Sequence, residues 1–229
     1  MESIDLSPLL SICCTCLSLG GIGLAIFAYL RYAQAKRMAW ERGWRELATR
    51  TGLTFETNVS LTDPTTNTAS GPIKIRFGSQ PPHTTRVTGR YKNRALTLDT
   101  FTESRTSNET MATTTFTRLT LEVSQPPNRS FSLAEKDLLS EGSSVLLGDE
   151  PFDRRFVIVS RPEEFARQVL ASSDIRQRLL ALRPRIRVNA EGQELRLAQD
   201  QLHTDPDFLA SLIELGNDLA AAIEQASSI

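Results

Sequence analysis

After Cys16 the 229-residue sequence contains no cysteine, and the three it has, Cys13, Cys14 and Cys16, crowd into one apolar stretch. A disulfide framework is therefore excluded for the rest of the chain, and so is Cys–His catalysis. Histidine is nearly as scarce. His83 and His203 each sit in a Pro-, Thr- or Asp-rich stretch, too few for a histidine metal site and without a partnered nucleophile in sequence. Glycines cluster only at Gly20, Gly21 and Gly23; there is no Gly-Lys-Ser/Thr phosphate loop and no Gly-x-Ser-x-Gly elbow. Neither sign of charge is in excess, with 26 Lys+Arg against 27 Asp+Glu, which argues against a nucleic-acid partner held by a basic surface. No catalytic residue, metal or cofactor is expected. At 40% hydrophobic and 23% charged residues the chain is too apolar for disorder.

Charge is present but unevenly placed. From Leu6 to Leu30 no charged residue occurs, and Pro8–Leu30 reads PLLSICCTCLSLGGIGLAIFAYL. About 20 helical residues cross a hydrocarbon core of ~30 Å, so the run predicts a transmembrane helix closing an N-terminal segment, residues 1–30. A cleaved signal peptide would want a basic start, whereas Glu2 and Asp5 make this one acidic. Arg31, Lys36, Arg37, Arg42, Arg45 and Arg50 follow the run against only Glu41 and Glu46. The positive-inside rule then puts the N-terminus outside and the C-terminal domain in the cytoplasm, on a single-pass anchor. Tyr29, Arg31, Tyr32, Lys36, Arg37, Trp40 and Arg42 are the expected membrane-interface residues, with the lipid bilayer as partner. Gly20, Gly21, Gly23 and Ala25 form a small-residue patch where another transmembrane helix could pack.

Residues 31–51 read as a juxtamembrane amphipathic helix. Met38, Trp40, Trp44, Leu47 and Ala48 make an apolar stripe beside a basic face, fit either to lie on lipid or to dock onto the domain that follows. Gly52 supplies the helix cap.

Residues 52–229 read as an α+β domain with a largely antiparallel sheet, divisible into a β-rich half, 52–148, and an α/β half, 149–229. Predicted strands are Leu53–Thr57, Ile73–Phe77, Arg86–Tyr91, Arg94–Phe101, Ala112–Val123, Phe131–Ala134 and Phe152–Val159, with Lys92-Asn93 as a tight hairpin turn. Ser160 and Glu163 resemble a capping box. Short helices follow, then a hairpin around Ala190-Glu191-Gly192. A last amphipathic helix opens at Asp205-Pro206, with the stripe Phe208, Leu212, Leu215, Leu219 and Ile223 inward and Glu214 on the idle face. The strings Arg86–Leu98 and Arg187–Leu197 look alike, a hint of a pseudo-repeat.

Asp149, Glu150 and Asp153 gather three carboxylates, a pattern able to do acid–base work. The competing expectation is a turn, with Asp153 pairing a basic residue on a neighbouring strand.

Trp44-x-x-Leu47-Ala48-x-x-Thr51-Gly52-Leu53-x-Phe55, Val87-x-Gly89-x-Tyr91-x-x-Arg94 and Phe152-Asp153-x-x-Phe156 resemble a pattern in uncharacterised bacterial membrane-anchored proteins. The resemblance implies an architecture and no activity. The expected function is a membrane-tethered, non-enzymatic domain that binds a protein partner or organises a membrane complex. The alternatives are an enzyme using the Asp149/Glu150/Asp153 carboxylates, or an extracytoplasmic ligand-binding domain if the topology is reversed.

Overall fold

The computed structural model describes residues 27–32, 34–35, 38–57, 85–107, 110–136, 144–183 and 185–228. The chain divides into two units, Met1–Arg42 and Gly43–Ile229. In the first, residues 27–32, 34–35 and 38–42 are helical. Among the described residues no helix is long and apolar enough to cross a membrane. The span expected over Leu6–Leu30 lies outside the described residues except for its last four, and the strand expected at Ile73–Phe77 lies outside them too.

The second unit opens on a helix, α1 (43–51). Its stripe docks: Trp44, Leu47 and Ala48 are buried. Gly52 takes a positive φ of 70°, and Leu53 N donates to Ala48 O at 2.9 Å, which closes the helix and turns the chain into a strand. Eight strands follow: β1 (Thr54–Thr57), β2 (Thr85–Tyr91), β3 (Arg94–Ser107), β4 (Thr110–Glu122), β5 (Ser130–Glu135), β6 (Phe156–Arg161), β7 (Ile186–Glu191) and β8 (Glu194–Gln199). They form one sheet in the order β1-β2-β3-β4-β8-β7-β5-β6, and every pairing is antiparallel. Strands from both sides of residue 148 thus share a single sheet.

The Lys92-Asn93 turn has φ of 46° and 70°, the two left-handed residues that match the twist of a tight hairpin. The look-alike strings fall on either side of β4. Leu96 and Leu195 both pair with Leu121, and Leu98 and Leu197 both pair with Leu119. By strand alternation these six leucines share one face.

Across that face lies a 22-residue helix, α5 (Pro206–Ser227), opened by the Asp205 carboxylate, which accepts from Asp207 N at 3.0 Å. Gly216 allows the close approach: a Cβ there would sit 2.6 Å and 2.7 Å from the ends of Leu119 and Leu121. The buried face of α5 takes in Leu212, Leu215, Leu219 and Ile223, as the stripe predicts, and also Leu209, Ile213 and Ala220, while Phe208 is half-buried.

Three local expectations are corrected. Phe152–Val159 is not one strand, because α2 (Glu150–Arg155) occupies its first half. Asp149 caps that helix through Phe152 N, and Pro151 sits in its first turn, so a start signal overrides an apolar run that looks extended. Ser160 does not cap the next helix, α3 (Glu163–Val169). It lies in β6 opposite Phe131, and its hydroxyl is spent on the carbonyls of Ser130 and Pro162, at 3.0 and 2.8 Å. A further short helix, α4 (Ser173–Ala181), then leads to β7.

The third correction concerns Glu214, which is not idle. It accepts from the Tyr91 hydroxyl and from Lys92 Nζ, tying α5 to the β2–β3 hairpin. Those two donors hold its carboxyl below its ordinary value of 4.5. A lowered carboxylate pKa stabilises the fold above the unfolded-state value and loses that contribution as pH falls through the folded one. With the group partly exposed, Glu214→Gln should cost about 1 kcal/mol at pH 7, a gap that closes as chemical denaturation is repeated from pH 5 downward. A pH-independent gap would assign the loss to packing.

Candidate functional site

Of the expected interface residues, Tyr29, Arg31, Tyr32 and Arg42 are exposed, with Tyr29 at 70% and Tyr32 at 67%, whereas Trp40 is buried. Phe27, Leu30 and Met38 add exposed apolar surface to the same unit, and the Arg31 guanidinium sits 5.3 Å over the Phe27 ring. Lys36, Arg37, Gly20, Gly21, Gly23 and Ala25 lie outside the described residues.

The three carboxylates are close in sequence but face different tasks. Asp149 caps α2 and accepts from Arg176 Nε on α4 at 2.8 Å. Glu150 pairs with Arg154 one turn on, in solvent. Asp153 does not pair with a basic residue on a strand. Its two oxygens accept from the backbone N–H groups of Leu147 and Gly148, at 3.0 and 2.9 Å, and so pin the chain entering α2. Among the described residues no group of three His, Cys, Asp or Glu side chains could hold a metal ion. A shallow depression of about 280 Å3 lies elsewhere, lined by Thr97, Thr120, Glu122 and Glu194 on β3, β4 and β8.

Two arrangements escaped sequence reading. One is a charged and aromatic patch on the sheet face opposite α5. Register places Arg86, Asp99, Arg118, Ala198 and Arg187 in one row across β2, β3, β4, β8 and β7. Asp99, only 1% exposed, is forked by Arg118, with Nε to Oδ1 at 2.9 Å and Nη2 to Oδ2 at 2.6 Å. Beside the row Phe101 and Phe116 stack at 4.7 Å with 13° between the rings. The guanidinium of Arg118 lies 5.2 Å over Phe101, and that of Arg187 lies 4.7 Å over Phe116. Folding β3 onto β4 as a hairpin pairs Asp99 with Arg118 and Phe101 with Phe116, so the alternation Asp-x-Phe against Phe-x-Arg was the available signal.

The second arrangement joins α1 to the β8–α5 connection. Trp44 Nε1 donates to His203 O at 2.8 Å, and a Cβ on Gly43 would lie 1.9 Å from Thr204 O. Arg50 binds Asp207 at 2.6 Å and also Glu46. These two salt-bridged carboxylates hold the Arg50 guanidinium above its ordinary value. Burial pushes the His203 imidazole below its ordinary 6.5, with Asp205 opposing.

No family model matches this chain, and no curated protein matches it. The sheet-and-helix architecture does have a counterpart among solved structures. The chain is similar to the mycobacterial trehalose monomycolate transport factor A, TtfA, as seen in its crystal structure, with a TM-score of 0.50 and 12% sequence identity over 80% of this chain and 94% of that one. At that identity the likeness concerns the fold alone.

Proposed function

We propose that the chain is a membrane-tethered, non-enzymatic domain that binds a protein partner or helps organise a membrane complex. The observation that carries this reading is the charge pattern: no charge from Leu6 to Leu30, then Arg31, Lys36, Arg37, Arg42, Arg45 and Arg50. Such a run is long enough to cross a bilayer, and the basic flank orients the following domain toward the cytoplasm. The exposed Phe27, Tyr29, Leu30 and Tyr32 are in keeping with a helix whose surroundings are lipid rather than water.

A non-enzymatic role is supported by the carboxylates. Asp149 and Asp153 are spent on backbone N–H groups, with Asp149 also on Arg176, and neither lines the depression on the sheet.

The test is a pair of reporters fused after Ile229, one active only in the cytoplasm and one active only outside it, combined with alkaline extraction of membranes. The cytoplasmic reporter should be active and the chain should stay in the pellet. Activity of the outside reporter would favour the extracytoplasmic alternative, and release by alkali would remove the tether.

A further inference from the structure

The chain from β8 to α5 does more than connect two elements: its backbone is the surface against which α1 is held. The His203 carbonyl takes the indole N–H of the fully buried Trp44, and the neighbouring Thr204 carbonyl fills the space that any side chain on residue 43 would need. His203 is fixed from both sides. Its backbone N–H donates to Thr117 Oγ1 at 3.2 Å, whose hydroxyl donates in turn to Gln201 O at 2.7 Å, and its ring stacks on Phe208 at 3.9 Å with 19° between the planes. The ring atom Nε2 is buried and has no hydrogen-bond partner.

We propose that the β8–α5 connection is an acid-operated latch on α1, in which charging the His203 imidazole releases the backbone that grips Gly43 and Trp44. With the neutral ring's proton on Nδ1, Nε2 is an acceptor that no donor reaches. Protonated, it becomes a buried N–H without an acceptor, and the cheapest remedy is for the ring to leave Phe208 for water. Because the same residue presents the carbonyl to Trp44, moving the ring outward disturbs the grip on α1.

The charged groups around the latch are few. Asp205, on the same connection, is the one that favours the charged ring. Asp207 at the head of α5 and Glu46 on α1 are both engaged by Arg50. Thr117 on β4 and Trp44 on α1 carry no charge. The sign follows from the depressed imidazole: its contribution is complete above about pH 6.5 and is lost as pH falls through the folded-state midpoint. The latch does not depend on where the tether lies, since every residue in it belongs to the second unit.

Amide hydrogen exchange on the full chain in mild detergent, from pH 8 to pH 5 and corrected for the intrinsic rate at each pH, tests it. The amides of 43–51 should lose protection below about pH 6.5, by at most about tenfold per pH unit for a single proton. The β3–β4 ladder should keep its protection. The loss should level off at the pH where His203 itself titrates, read from its imidazole resonances. His203→Phe retains a stacking ring that cannot charge, and should leave α1 protection flat. Protection that is flat in the wild-type chain overturns the latch, as does a loss that continues below the His203 titration. An equal loss in a folded His203→Phe chain overturns it as well. If that variant does not fold, the match between the wild-type plateau and the His203 titration decides.

Discussion

Replacing Trp44 by alanine should destabilise the second unit by about 3–5 kcal/mol. Trp44 is fully buried, and Leu47 and Ala48 extend the same docked face, so the substitution leaves a cavity that a helix wedged against the β8–α5 connection cannot close. It also strips the part-buried His203 carbonyl of its donor, a lost hydrogen bond worth about 1 kcal/mol. Trp44→Phe separates the two effects, because it keeps most of the ring and loses only the N–H. Set against a typical domain stability of about 5–15 kcal/mol, the alanine variant should show a much lower urea midpoint. A midpoint within error of the parent chain would mean that α1 is an appendage and not part of the core.

The second large effect is expected from Asp99→Ala. Asp99 is buried, and both of its oxygens are committed to Arg118. Removing one member of a buried pair strands the other, at about 3–5 kcal/mol, whereas replacing both by apolar residues of similar size is often nearly neutral. Arg118 also lies over Phe101, so it cannot swing away without giving up that contact. Asp99→Ala should therefore melt far below the parent, and Asp99→Ala combined with Arg118→Met should recover most of the loss. A double variant no better than the single would place the energy in the aromatic stack.

What was readable in the sequence was what local rules decide. Lys92-Asn93, Gly52 and Asp205-Pro206 act through their own backbone geometry, so the first hairpin, the end of α1 and the start of α5 followed from a few residues each. The misread segments are those where two local signals compete. Phe152 and Phe156-Val157-Ile158-Val159 look like one strand, but Asp149 and Pro151 settle the first half as helix. Ser160 carries a helix-start signature and is claimed by the neighbouring strand instead. The Arg86–Asp99–Arg118–Arg187 row was hidden for another reason. Its Asp99–Arg118 centre needs only the β3–β4 hairpin, but Arg187 joins it once β4 has paired with β8, a register set by residues more than seventy positions apart in sequence. Glu214 was misjudged likewise, because its partners Tyr91 and Lys92 come from a hairpin far away in the chain.

The position of β4 at the middle of the leucine rows has a consequence for how the chain comes to be folded. During synthesis β1 to β4 emerge well before β8, so β4 waits as an open edge displaying Leu119 and Leu121 with unpaired backbone groups beside them. An edge of that kind invites pairing with another chain until its own partner arrives. A fragment ending near residue 148 would keep that edge permanently open, and α5, which roofs the same leucines, would be missing as well. The two halves share one sheet and one roof, and the closure of β8 onto β4 is the pairing that must bridge the longest stretch of chain.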